Sequence, residues 1–153
     1  MRVLQINNYH RIVGGSDAVY FNTGALLEAH GHEVGWFAGF DRKAEPCEDV
    51  RFFPRVVDME NLKPWDMVRY MRNREAAQKL GEMLVERGHF DVAHLHIYYG
   101  RLTAAVLGPL RAQGIPIVQS LHEYKLACPI YTLERNGDVC EKCVTGSTVN
   151  LLR

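Results

Sequence analysis

A chain of 153 residues is long enough to bury one substantial core and too short for two ordinary domains. Its 18 Lys and Arg balance 18 Asp and Glu, so no global field recruits nucleic acid or an anionic membrane, and any charged partner must be read by a local site. The opening residues, Met-Arg-Val-Leu-Gln-Ile-Asn, carry an apolar run far shorter than a signal-peptide core or a membrane span, which makes a cytosolic or cytosol-facing protein the expectation.

Val3 to Asn7 reads as a short apolar strand, followed after a polar loop by a helix from about Asp17 to Ala29 that ends at Gly31. Val34 to Ala38 is a second buried strand, and Val50 to Phe53 is a candidate third before Pro54. Between Lys63 and Arg74, Trp65, Val68 and Met71 recur at helical spacing beside Arg69, Arg72 and Arg74. Such a helix packs on its own sheet by default, with peripheral membrane contact as the alternative. From Asn73 to Arg87, the apolar residues Ala76, Ala77, Leu80, Met83 and Leu84 form the clearest helical stripe in the chain, closed by Gly88. Asp91 to Ile97 is the fourth strand, Leu102 to Gln113 a helix interrupted at Gly108-Pro109, and Ile115 to Leu121 the fifth strand.

Strands alternating with helices in short units give an α/β fold class: a doubly wound, mainly parallel, Rossmann-like sheet with helices on both faces. Beyond about Leu126 the character changes. The stretch from Cys128 to Arg153 is polar and rich in glycine and cysteine, with no closing amphipathic helix, and the expectation is a chain that stops inside a larger protein.

In an open parallel sheet, ligands bind outside the carboxyl ends of the strands, where the winding reverses. Three loops carry suitable chemistry there. In the first, Gly14 and Gly15 remove Cβ atoms that would hold a ligand off the backbone, and the next helix offers unpaired N–H groups to a phosphate. Ser16 or Asp17 can cap that helix, and capping alone or capping with a phosphate contact both fit. In the second, His94 and His96 project to one face of a strand that runs into Tyr98-Tyr99-Gly100. These side chains either contact a sugar or serve as a satisfied core histidine and an apolar plug. The third loop starts at His122-Glu123, and its imidazole meets the first loop if the first, fourth and fifth strands are neighbours.

The cysteines Cys47, Cys128, Cys140 and Cys143 do not form the framework of a small secreted domain. Cys128 with Cys140-x-x-Cys143 gives three thiolates at spacings compatible with a tetrahedral structural zinc, with His122 or Cys47 as weaker candidates for the open position. Unpaired buried thiols and a redox Cys-x-x-Cys are the other readings.

The segment His122-Glu123-Tyr124-Lys125-Leu126-Ala127-Cys128-Pro129, continuing to Cys140-Glu141-Lys142-Cys143, resembles glycosyltransferase family 4, retaining enzymes built from two Rossmann-like domains in the GT-B arrangement. The opening strand, the Gly14-Gly15-Ser16 loop, Gly31-His32-Glu33-Val34 and Asp91-Val92-Ala93-His94-Leu95-His96 look like that family's amino-terminal domain. The resemblance implies that the chain is the acceptor side of a glycosyltransferase of hexosyltransferase type, inactive on its own, with the nucleotide-sugar-binding domain absent. It implies a UDP- or GDP-linked sugar donor and a glycan or lipid-linked acceptor. Gly14, Gly15 and Ser16 would approach the donor diphosphate, and His122 would be catalytic in the cleft. His96, Tyr98, Tyr99 and Glu123 would line the acceptor side. It implies no catalytic metal, and relatives often carry a further cysteine downstream that would complete a zinc site.

Two other classes compete. A dinucleotide-dependent oxidoreductase would use Asp41 near the end of the second strand as a ribose-binding carboxylate. It would also need Gly-x-Gly-x-x-Gly at the first turn, where this chain has one Gly-Gly pair after a longer loop. A zinc-stapled binding module without catalysis is the other.

Overall fold

A computed structural model describes residues 1–57 and 66–145. Strand β1 (Arg2–Asn7) is buried from Val3 onward, as the centre of a parallel sheet requires, and helix α1 (Gly15–Ala29) returns the chain to strand β2 (Glu33–Ala38). Gly31, at φ 78°, turns the chain out of α1 in a conformation that favours glycine. Helices α2 (Asp66–Met71) and α3 (Arg74–Arg87) precede strand β3 (Val92–Leu95), and helix α4 (Leu107–Ala112) leads to strand β4 (Ile117–Gln119). These four strands form one parallel sheet in the order β2-β1-β3-β4.

The register alternates sides. Leu4 and Ile6 pair with Ala93 and Leu95 and share the core with Ala76, Leu80, Met83 and Leu84 of α3 and Leu110 of α4. Each Leu, Ile or Met side chain buried in this way contributes about 1.5–3 kcal/mol. On the α1 face, β1 and the end of β3 carry a polar chain. Gln5 lies beside His94 in the register, its amide reaching His94 Nδ1 at 3.3 Å and His96 Nε2 at 2.9 Å, and His94 Nε2 continues to Ser120 Oγ at 2.8 Å. The two histidines do share a face, with ring centroids 4.3 Å apart.

Three expectations are corrected. Val50 to Phe53 is not a strand. The residues Glu48–Phe52 form a 3-10 turn, and the buried Asp49 carboxylate accepts the Trp36 N–H at 2.9 Å, meeting the edge of β2 with a side chain instead of a ladder. Pro109 does not interrupt a helix. It falls in the first turn of α4, where its missing N–H has no intrahelical acceptor to lose, and the preceding residues Ala104–Val106 are a separate 3-10 turn. Helix α2 does not pack on the sheet: it buries no residue, and Met67, Val68, Tyr70 and Met71 are all exposed. Trp65, grouped with them in sequence, lies outside the described residues.

The chain divides into two units, Met1–Ser120, which holds the sheet, and Leu121–Arg153. The second contains a small antiparallel pair, β5 (Glu134–Arg135) with β6 (Asp138–Val139), and the short helix α5 (Lys142–Thr145). Among the described residues no helix is long and apolar enough to cross a membrane.

Candidate active site

With β2 on one side of β1 and β3 on the other, the winding reverses between β1 and β3, and the crevice outside their carboxyl ends is the site the topology provides. It holds a cavity of about 220 Å³ lined by Asn7, Asn8, Tyr9, Val13, Gly14, Ser16, Asp17 and Ile97.

Two consecutive asparagines build its floor. Asn7 accepts the Ile97 N–H at 3.3 Å and donates to Tyr9 O at 3.0 Å and to Asp17 Oδ1 at 2.7 Å, joining the ends of β1 and β3 to the start of α1. Asn8 donates to Tyr99 O at 2.8 Å and accepts the Leu102 N–H at 3.3 Å, clipping the loop after β3 onto the loop after β1. Sequence reasoning missed both. The signal available was a pair of amides where an apolar strand ends, since a buried amide there must bond across the crevice.

The glycine loop differs from expectation in its cap. Gly14 is the N-cap, so Ser16 is not; Asp17 in the first turn accepts the N–H groups of Val13 at 3.0 Å and Gly14 at 2.8 Å. Those two donors are therefore satisfied by the protein, and the N–H groups of Gly15 and Ser16, which have no intrahelical acceptor, remain for a ligand. Neither glycine is needed by the fold. Gly14 is extended at φ −153°, neither has a left-handed backbone, and a Cβ at either would meet nothing within 4 Å.

Beside the cavity, the Arg101 guanidinium lies 4.1 Å from the Tyr9 ring centroid and that of Arg11 5.4 Å from it. Arg11 also pairs with Asp41 at 2.7 Å. Burial alone would raise the pKa of Asp41. The Lys43 N–H, the bond to Arg11 and the nearby charges of Arg11 and Arg101 outweigh it and hold the carboxyl below its ordinary value. A carboxylate so engaged is a poor ribose ligand, which removes the feature that favoured a dinucleotide enzyme.

The residues expected to line the acceptor side divide. His96 is fully buried, Tyr98 is 8% exposed and part of the core, and neither lines the cavity. The physical reason is the alternation of β3, which turns His96 under α1, where its ring meets Tyr20 edge-on at 5.6 Å. Tyr99 is half-buried against the core and gives its carbonyl to Asn8.

In the second unit, His122 and Glu123 are half-buried and line a cavity of about 300 Å³ with Leu121, Tyr124, Leu126 and Ala127. The cysteines do not gather. Among the described residues no three His, Cys, Asp or Glu side chains are placed to hold a metal ion, so Cys128, Cys140 and Cys143 do not fit a zinc site there. Cys128 is buried and serves its own turn. Burial would push its thiol up, but the N–H groups of Leu133, Ile130, Tyr131 and Thr132 outweigh burial and lower its pKa.

No curated protein matches the chain. The family model for Glycosyltransferase Family 4 matches residues 13–136, from the glycine loop through β3 to the segment after His122. That span covers most of the chain, and the chain belongs to glycosyltransferase family 4.

Proposed function

We propose that this chain is the acceptor-side, amino-terminal domain of a retaining glycosyltransferase. In this reading the chain continues into a second Rossmann-like domain, which binds a UDP- or GDP-linked sugar and supplies what this domain lacks for activity. The observation that carries the reading is the pair Gly14 and Gly15: two glycines that neither backbone conformation nor packing demands, the first on the wall of the cavity at the switch point and the second next to it in the chain. Open space where a Cβ would sit suits a ligand that approaches the backbone.

In the reaction, the bond from the anomeric carbon to the diphosphate breaks and a glycosidic bond to the acceptor oxygen forms on the same face. The acceptor proton passes to the departing diphosphate. The Gly15 and Ser16 N–H groups, fixed at the start of α1, face the leaving charge without reorganising. His122 polarises or positions the transferred sugar, the role that the family resemblance implies for it. Incubating the full-length protein with a panel of UDP- and GDP-sugars and reading the product anomer by NMR tests this. Retained configuration, with His122→Ala lowering kcat more than it raises KM for donor, is the expected result; inversion or an unchanged kcat overturns it.

The exposed apolar residues Met67, Val68, Tyr70 and Met71 on α2 favour one addition, a peripheral membrane contact that brings the domain to a lipid-linked acceptor. Flotation with liposomes, and its loss in a Val68→Glu/Met71→Glu variant, is the check.

A further inference from the structure

Three buried or half-buried groups outside the glycine loop converge on one residue that the proposed reaction leaves without a task, Arg101. Its loop follows β3 and is pinned from both sides. Asn8 holds Tyr99 O and the Leu102 N–H, while the buried Asn73 donates to Arg101 O at 3.0 Å and to Arg55 O at 2.9 Å. Asn73 in turn gives its own N–H to Thr103 Oγ1 at 3.0 Å. Thr103 sits at φ 65°, ψ 174°, a backbone region that a β-branched residue adopts only when its surroundings impose it. Two asparagines and a strained threonine thus fix the backbone that carries Arg101.

The side chain so presented lacks the partners that an arginine of purely structural role acquires. Its face is covered by Tyr9, and stacking of this kind leaves the in-plane N–H groups free for a planar or tetrahedral anion. The Nε–H is buried with no acceptor, and no carboxylate among the described residues lies within ion-pair distance. Arg11, the other guanidinium against Tyr9, is by contrast bonded directly to Asp41, a carboxylate that Arg101 affects only through space. Tyr9 itself lines the cavity at the switch point, and Arg101, which does not line it, is 4.1 Å from the Tyr9 ring centroid.

We infer that Arg101, stacked on Tyr9, is a binding residue for a phosphate group of the substrate. The inference takes its substrate from the transfer reading above, but the binding event it names stands apart from catalysis. The phosphate belongs either to the acceptor or to the donor diphosphate, and in both cases the recognition chemistry is the same: a guanidinium edge meeting phosphate oxygens, with the Tyr9 ring preventing the side chain from folding away.

The test uses the whole chain, labelled for observation of arginine Nε–Hε resonances. One arm titrates glycerol 3-phosphate and glucose 1-phosphate; the other titrates UDP and GDP. The expected result is saturable movement of the Arg101 resonance in at least one arm. Arg101→Gln raises the Kd at least tenfold there, Arg101→Lys retains part of the affinity, and Arg51→Gln on the far surface changes nothing. A response to the phosphomonoesters assigns the site to the acceptor, and a response to the nucleoside diphosphates alone assigns it to the donor. An unmoved Arg101 resonance in both arms, or Arg101→Gln binding as the parent does, overturns the inference; the thermal melt of Arg101→Gln establishes that the variant is folded. If Arg101 binds phosphate while the full-length protein transfers no sugar, the transfer reading falls and this one stands. Intact transfer with phosphate binding indifferent to Arg101→Gln gives the reverse.

Discussion

The Asp17 carboxylate accepts the Gly14 N–H at 2.8 Å, closing the first turn of α1 back onto the loop that precedes it. The same carboxylate takes the Val13 N–H and the Asn7 amide, so one buried side chain fixes the cavity wall to the end of β1. Replacing Asp17 by Ala leaves three donors to find other partners, at a cost of about 2 kcal/mol at the scale of a lost charged hydrogen bond. Asp17→Asn keeps one acceptor and loses less. Urea unfolding of the two variants checks the order, and equal stability of Asp17→Ala and the parent would show that the three bonds contribute nothing.

Gly15 and Gly24 are both in α1 and respond oppositely to alanine. At Gly15 a Cβ meets nothing within 4 Å, so Gly15→Ala raises stability by about 0.4–1 kcal/mol through the unfolded chain. At Gly24 a Cβ collides with the Trp36 indole, which rests on the helix backbone, and Gly24→Ala destabilises in spite of its better helix propensity. Melting temperatures separate the two. In the full-length protein Gly15→Ala weakens donor binding while the fold gains, the combination expected where a glycine serves a ligand and not its own helix.

The contrast marks what sequence reasoning can reach. The glycine loop at the start of α1 is legible because a strand, a glycine loop and a helix in succession have few topologies, whereas the adjacency of β1, β3 and β4 is only a condition in the sequence and is met in the sheet. The single-face placement of His94 and His96 followed from strand periodicity alone. Periodicity does not say which face is covered, so the sequence leaves His96 open to the cleft, whereas α1 buries it. Pro109 reads as a helix break because its position relative to the helix start is invisible without the cap, and it falls in the first turn of α4. The bonds of Asn7 and Asn8 and the stacking of Arg101 on Tyr9 join residues roughly ninety positions apart, and they depend on the β1–β3 register, which no local pattern encodes.

Thr103 offers a separate test of backbone strain near the site. Its Oγ1 accepts the N–H groups of Asn73 at 3.0 Å and Ala105 at 3.3 Å, while its φ of 65° opposes a β-branched side chain. Thr103→Ser keeps both bonds and relieves part of the crowding, so its stability equals or exceeds the parent's. Thr103→Val keeps the crowding and removes the acceptor, leaving the buried Asn73 N–H unsatisfied at a cost of about 1–3 kcal/mol. Chemical denaturation should rank serine above valine, and the reverse order would mean that shape, not the hydroxyl, holds the loop.

His10 makes the fold sensitive to acid. It is 2% exposed, enclosed by Tyr20, Phe21, Trp36 and Phe53, none of which is charged below neutral pH, and burial lowers its pKa to about 4 from the ordinary 6.5. Tyr20, whose own pKa burial raises, stays protonated, and its hydroxyl lies 2.8 Å from His10 Nδ1. Between those two values the unfolded chain binds a proton that the folded chain does not, so acidification favours unfolding. The contribution of His10 is intact above pH 6.5 and falls as the pH drops towards 4, by on the order of 3 kcal/mol at 1.36 kcal/mol per unit. Asp49, raised by burial, acts in the opposite sense, because protonating it relieves a buried charge. The difference between the parent and His10→Gln therefore isolates the histidine: urea midpoints measured from pH 8 to 4.5 should fall more steeply for the parent. Parallel profiles would mean that a water or a shifted side chain already solvates the ring.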